Sequence, residues 1–159
     1  MRHYFLDASA LVKAYSAEPG SERVKNMIRG ASVDPPDNRV LASALIRPEA
    51  ASALAKILDG PDAARRGFGR MHRRSLPGAL VRDLATPGLV LAPADEHIDS
   101  AVELVWKHRV RGADAVHLAT ALAARGGLPE NEEFYFVSSD VSLNRAAAAE
   151  GLEVIDPAA

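Results

Sequence analysis

The stretch HYFLDASALVKAY, residues 3–15, decides the fold. A short apolar run, Tyr4-Phe5-Leu6, stops at an acid, Asp7. The small residues Ala8-Ser9-Ala10 follow, then Leu11-Val12-Lys13 with a helical look. The run reads as a strand, and the change of pattern after it reads as a helix that begins at once. Asp7 is then delivered by a strand to a sheet edge. Its carboxylate is suited to cap the helix that follows. It takes on a chemical meaning only if other carboxylates reach the same end of the same sheet.

Outward from this unit the chain repeats the alternation. Val40-Leu41-Ala42-Ser43, Leu89-Val90-Leu91, Phe134-Tyr135-Phe136-Val137 and Glu153-Val154-Ile155 read as strands. Ser21 reads as the N-cap of a short helix with Val24, Met27 and Ile28 on one face. An alanine-rich helix is expected over 46–58, with Ile46, Ala50, Ala53 and Ile57 as its stripe and Glu49 beside it. Asp95 is placed to cap a helix bearing Ile98, Ala101, Val102 and Val105, with Trp106 packed at its edge. The helix over 112–125 is apolar nearly all round and reads as central and buried. A last helix carries Leu143, Ala146 and Ala147. Alternating strands and helices imply an α/β fold with a mainly parallel sheet of about five short strands. Residues 63–84 hold Arg65, Arg66, Arg70, Arg73, Arg74 and Arg82, interrupted by Gly67, Gly69, Pro77 and Gly78. They read as a pair of helical pieces rather than one helix. No repeat or linker divides the chain, so residues 1–159 are expected to form one domain.

Composition narrows the function. With 159 residues the chain can bury a sizeable core. The absence of cysteine excludes disulfides, a thiolate zinc site and a cysteine nucleophile, and fits a reducing, cytoplasmic setting. The first residues are too briefly apolar for a signal peptide, and no apolar run approaches the ~20 residues of a membrane span. A net charge of -2 argues against a generally basic nucleic-acid binder. It leaves room for a basic patch beside an acidic site.

Two strand ends carry the same device. Asp7 follows Tyr4-Phe5-Leu6, and Asp140 follows Phe136-Val137-Ser138-Ser139. Ligands of open parallel sheets bind beyond the carboxyl ends of the strands, where the strand order reverses. Glu49 and Asp114 lie in the first turns of two helices, which tend to start on that same face. Each acid also has a plain structural reading, as a cap or as a charge favoured by the helix dipole. If the four converge, the cost is considerable. Two carboxylates ~4 Å apart repel by about 4 kcal/mol at an effective dielectric near 20. Protons or a cation must then neutralise them. Oxygen-only ligands suit Mg²⁺ or Mn²⁺ better than zinc, and the chemistry implied is metal-assisted phosphodiester hydrolysis with water as nucleophile.

Other polar residues carry weaker signals. Ser9 and Ser138 or Ser139 are placed to orient a water or a ligand, although turn hydrogen bonds account for them as well. His117, one turn after Asp114, reads as a site group or as a hydrogen-bonded structural histidine. Asn144, one turn into the last helix, points at substrate or at solvent. The arginines at 65–74, with Lys107, His108, Arg109 and Arg111, read either as phosphate or acidic-partner contacts or as a solvated face.

Four blocks resemble a known family. DASALVK at 7–13, RPEAASAL at 47–54, ADAVHLATAL at 113–122 and SSDVSLNRAAAAEGLEV at 138–154 look like the signature blocks of PIN domains, and most closely those of VapC-type toxins. The resemblance implies a three-layer α/β/α fold and a Mg²⁺- or Mn²⁺-dependent endoribonuclease. It assigns the acidic site to Asp7, Glu49, Asp114 and Asp140. It also implies an RNA substrate, a cognate VapB-like antitoxin and a homodimer. Residues 59–86 resemble the family's variable helical region, and their arginine run follows no family pattern. Two other enzyme and binding classes fit poorly. A phosphatase of the haloacid dehalogenase type needs a second aspartate where Ser9 stands. A receiver domain needs an aspartate pair near the start and a lysine after a late strand, and the only lysine beyond Lys56 is Lys107. A PIN-like nuclease that processes RNA outside a toxin system, or a PIN-like fold that only binds RNA or protein, stays open as the alternative.

Overall fold

Alternate side chains of a strand face opposite sides of a sheet, and here each side has its own apolar set. The computed structural model describes residues 1–64, 66, 68, 72–85, 89–92 and 95–159, with 72–74 and 89–92 described through their backbone. Among these, five strands form one sheet: β1 (Arg2–Leu6), β2 (Asn38–Ser43), β3 (Leu89–Ala92), β4 (Glu133–Val137) and β5 (Glu153–Ile155). All neighbours pair in parallel, in the order β3-β2-β1-β4-β5. The helices are α1 (Ala8–Val12), α2 (Ser21–Ala31), α3 (Ile46–Asp59), α4 (His72–Leu84), α5 (Ile98–His108), α6 (Gly112–Gly126) and α7 (Val141–Ala149).

Register builds the two cores. Phe5 lies opposite Phe136, with ring centroids 5.9 Å apart. Both pack with Leu104, Leu118 and Leu143 from α5, α6 and α7. The next pair, Leu6 and Val137, faces the other way, toward Leu11, Val24, Ile46 and Leu80 from α1, α2, α3 and α4. The sheet is therefore the middle of three layers, as expected for the α/β/α class. Full burial of such side chains contributes about 1.5–3 kcal/mol each.

The strand order reverses at β1. The chain runs outward through β2 and β3 on one side and through β4 and β5 on the other. That reversal opens a crevice beyond the carboxyl ends of β1 and β4. Helix α6 crosses beside it, with every residue from Ala115 to Ala121 buried.

Several local expectations are corrected. Of the two helical pieces expected over 63–84, the described residues hold one, α4, which runs through Pro77. Pro77 sits in its second turn, where it removes the N–H bond one turn back and its ring crowds the carbonyl there. Ser21 is the first residue of α2 rather than its cap. Gly20 takes that place, with a left-handed φ of 89° that favours glycine. Asp95 opens a short 3-10 turn, Asp95–His97, and His97 precedes α5. Trp106 is not packed: it is 69% exposed, with the Arg109 guanidinium 5.5 Å from its ring centroid. No helix among the described residues is long and apolar enough to cross a membrane.

Candidate active site

Asp7 is at once a helix cap and a residue of the crevice. It is the N-cap of α1, its Oδ1 accepting the Ala10 N–H at 2.8 Å. It also lines the crevice, 4% exposed. The Ser9 hydroxyl donates to it at 2.8 Å, and the Ser138 hydroxyl donates to Oδ2 at 2.8 Å. Burial raises its pKa, and the donors from Ala10, Ser138 and Ser9 only partly offset that rise.

Asp140 repeats the arrangement one strand over. It caps α7, its Oδ1 accepting the Leu143 N–H at 2.9 Å. Its own N–H donates to Ser138 Oγ at 3.0 Å. The Ser138 hydroxyl thus joins the two capping aspartates. Ser138 and Ser139 differ in their contacts. Ser138 is fully buried and reaches Asp7, whereas the Ser139 hydroxyl lies 3.5 Å from Asp156 and only its backbone N–H reaches Ser9 Oγ, at 2.9 Å.

The other two acids come from helix starts. Asp114 stands in the first turn of α6 without capping it, because Arg111 holds the cap position. Its pKa is raised by burial first, then by the charges of Asp140 and Glu49, while Arg111 and His117 oppose the rise. Glu49, in the first turn of α3, accepts a hydrogen bond from His117 Nε2 through Oε2. His117 is 1% exposed, and its Nδ1 lies 2.8 Å from Ser43 Oγ.

These segments enclose a cleft of about 320 Å³. Asp7, Glu49, Asp114 and Asp140 all line it, together with Ser9 and His117. Two cations, Lys56 and Arg111, also face it. Arg111 was expected from the sequence, whereas Lys56 was not. Its signal was nevertheless present: Ser52, Ala53 and Lys56 follow Glu49 at i+3, i+4 and i+7, the spacing of one helix face. Ser43, deep under His117, left no such trace.

The remaining candidates fall elsewhere. Asn144 donates from Nδ2 to the Ser138 carbonyl at 2.9 Å, bracing the end of β4 rather than lining the cleft. Arg66 stands 3.8 Å from Glu18. Lys107 pairs with Glu150 at 2.8 Å, and His108 bonds the same carboxylate. Arg65 and Arg70 lie outside the described residues, as do the side chains of Arg73 and Arg74.

The donors present fit a hard divalent cation: four carboxylates, with no thiolate, and one of them, Asp114, with a pKa raised by burial and then by its acidic neighbours. Among the described residues no three acidic or histidine groups meet closely enough to hold a metal ion as they stand.

A family model described as PIN domain matches residues 4–149. No curated protein matches the chain. The crystal structure of FitAcB from Neisseria gonorrhoeae superposes with a TM-score of 0.51 over 97% of each chain, at 15% identity. At that identity the likeness is one of fold.

Proposed function

We propose, from the premise that this chain belongs to the PIN domain family, that it is a Mg²⁺- or Mn²⁺-dependent endoribonuclease acting as the toxin of a toxin–antitoxin pair. The observation that carries this reading is the convergence of Asp7, Glu49, Asp114 and Asp140, from four separate segments, on one cleft. Asp7, Asp114 and Asp140, with Glu49, are the residues that would hold the cation. Bound there, a divalent cation lowers the pKa of water and stabilises charge on a phosphoryl group. Ser9 and Ser138 fix the Asp7 carboxylate by donating to it. Lys56 and Arg111 give the cleft a cationic side suited to the phosphates of RNA.

The test is direct. Purified protein should cut RNA with Mg²⁺ or Mn²⁺ and stop on chelation, and Asp7→Asn should abolish cutting while the fold persists. Undiminished cleavage by that variant overturns the mechanism. Retained RNA binding with no Mn²⁺ binding in calorimetry would instead favour a non-catalytic binding module.

The toxin role and the partners rest on family membership. A homodimer and an antitoxin are the expected assemblies. Between α3 and α4 lies an apolar groove lined by Ala51, Leu54, Leu76, Pro77 and Leu80, which offers an antitoxin a surface away from the acids. Expression of the chain alone should arrest growth, and co-expression of the antitoxin should relieve it. Growth arrest by Asp7→Asn equal to that of the parent would sink the nuclease-toxin reading.

A further inference from the structure

Ser43, His117 and Glu49 form a hydrogen-bonded chain from the end of β2, through α6, to the first turn of α3. Its inner members are closed to solvent: Ser43 is 0% exposed and His117 1%. Its outer member lines the cleft, the Glu49 side chain being 30% exposed. A buried serine beside a histidine and a glutamate has the composition of a nucleophilic triad. Here the hydroxyl is sealed under the ring and the acid is the end that meets the cleft, so substrate cannot reach the serine.

The placement of the bonds gives the chain another role. Both ring nitrogens of His117 are engaged, Nε2 with Glu49 Oε2 and Nδ1 with Ser43 Oγ. The ring is thereby fixed in rotation from a residue on the sheet. Glu49 belongs to a different element, and among the described residues its Oε1 has no protein donor.

We propose that His117 is a positioning residue, which holds the Glu49 carboxylate at the cleft wall by one oxygen and leaves the other for a divalent cation. The proposal rests on the metal-site reading of Glu49 given above. Outer-shell donors of this kind orient a ligand and reduce the freedom it loses on binding metal. Their removal typically costs about 10–100-fold in metal affinity.

Two amide substitutions separate this role from simple filling of the core. Both keep a polar group in the buried space. In His117→Gln the amide nitrogen extends to about the place of Nε2 and can still donate to Glu49. In His117→Asn it stops near the place of Nδ1, where it meets Ser43 and falls short of Glu49. Mn²⁺ affinity, read by calorimetry on the full chain, is expected to fall about tenfold in His117→Asn and to stay within about threefold of the parent in His117→Gln. Ser43→Ala should give a smaller loss. Equal affinities in the two amide variants overturn the proposal, and so does a large loss in both. If His117→Asn does not fold, Ser43→Ala against His117→Gln decides: parental Mn²⁺ affinity in Ser43→Ala, or a large loss in His117→Gln, overturns it. Glu49→Gln keeps the two readings apart. Unchanged Mn²⁺ affinity there means that the metal-site reading has failed, whereas a loss there with none in His117→Asn means that only the positioning role has failed.

Discussion

Ser138 donates its hydroxyl to Asp7 Oδ2 at 2.8 Å, from the end of β4 to the end of β1 and across 131 residues of sequence. The Ser138 Oγ in turn accepts the Asp140 N–H at 3.0 Å. One hydroxyl therefore fixes the two strand-end acids relative to each other. The serine beside it, Ser139, makes no comparable side-chain bond to either.

Ser138→Ala should destabilise the protein by about 1–3 kcal/mol, because it leaves a buried acceptor short of a donor. Ser139→Ala should change stability by under about 0.5 kcal/mol. Urea unfolding of the two variants side by side checks the assignment, and equal losses would contradict it.

The site acids should give metal-free protein a pH dependence of definite sign. Asp114 is raised above its ordinary 3.8 by burial and by Asp140 and Glu49, and Asp7 is raised by burial. The folded protein then keeps these protons to higher pH than the unfolded chain, so stability falls as pH rises through a window that opens at 3.8. Asp114→Asn lacks one of these contributions. Its thermal midpoint minus that of the parent should grow from about pH 4 to about pH 7 in EDTA, and added Mg²⁺ should narrow the gap. A gap that shrinks with rising pH in EDTA would reverse the assigned sign.

The cationic side of the cleft should show in salt dependence. In an Asp7→Asn background, which keeps RNA intact during titration, Arg111→Ala should weaken RNA binding. It should also lower the slope of log affinity against log salt by about 0.7. Lys56→Ala should do the same. Arg66→Ala, at a residue set beside Glu18, should leave the slope as it was.

The two sides of α5 should differ in their mutational cost. Phe136, fully buried against Phe5 under the α5–α6 layer, should cost about 3–5 kcal/mol when truncated to alanine. Trp106, 69% exposed, should cost under about 0.5 kcal/mol. Chemical denaturation measures both, and a large loss at Trp106 would show that its face is covered.

The fold was legible where apolar spacing is regular. The run Tyr4-Phe5-Leu6 and the run Phe134–Val137 pair directly in the sheet, and the apolar helix expected over 112–125 is α6. The four acids were legible as a set because strand ends and helix starts of a parallel sheet share one face. What escaped reading depended on side-chain reach. Pro77 signals a break, yet α4 tolerates it in its second turn. Trp106 reads as core by hydrophobicity, while the direction of α5 leaves it outside. Ser43 has no pattern of its own, and its place under His117 follows only from the packing of β2 against α6.

The sheet order also sets a timetable for synthesis. β1 is made first, but its neighbour β4 is made last but one, and Asp7 meets its Ser138 donor only after residue 138 has been translated. Until then the first strand has one open edge at the centre of the future sheet, and two of the four acids, Asp7 and Asp140, have not been brought together. An unfinished chain therefore carries no assembled acidic pocket. On the proposed nuclease reading, cutting must await the synthesis of residues 138–140, which bring Ser138 and Asp140 to Asp7.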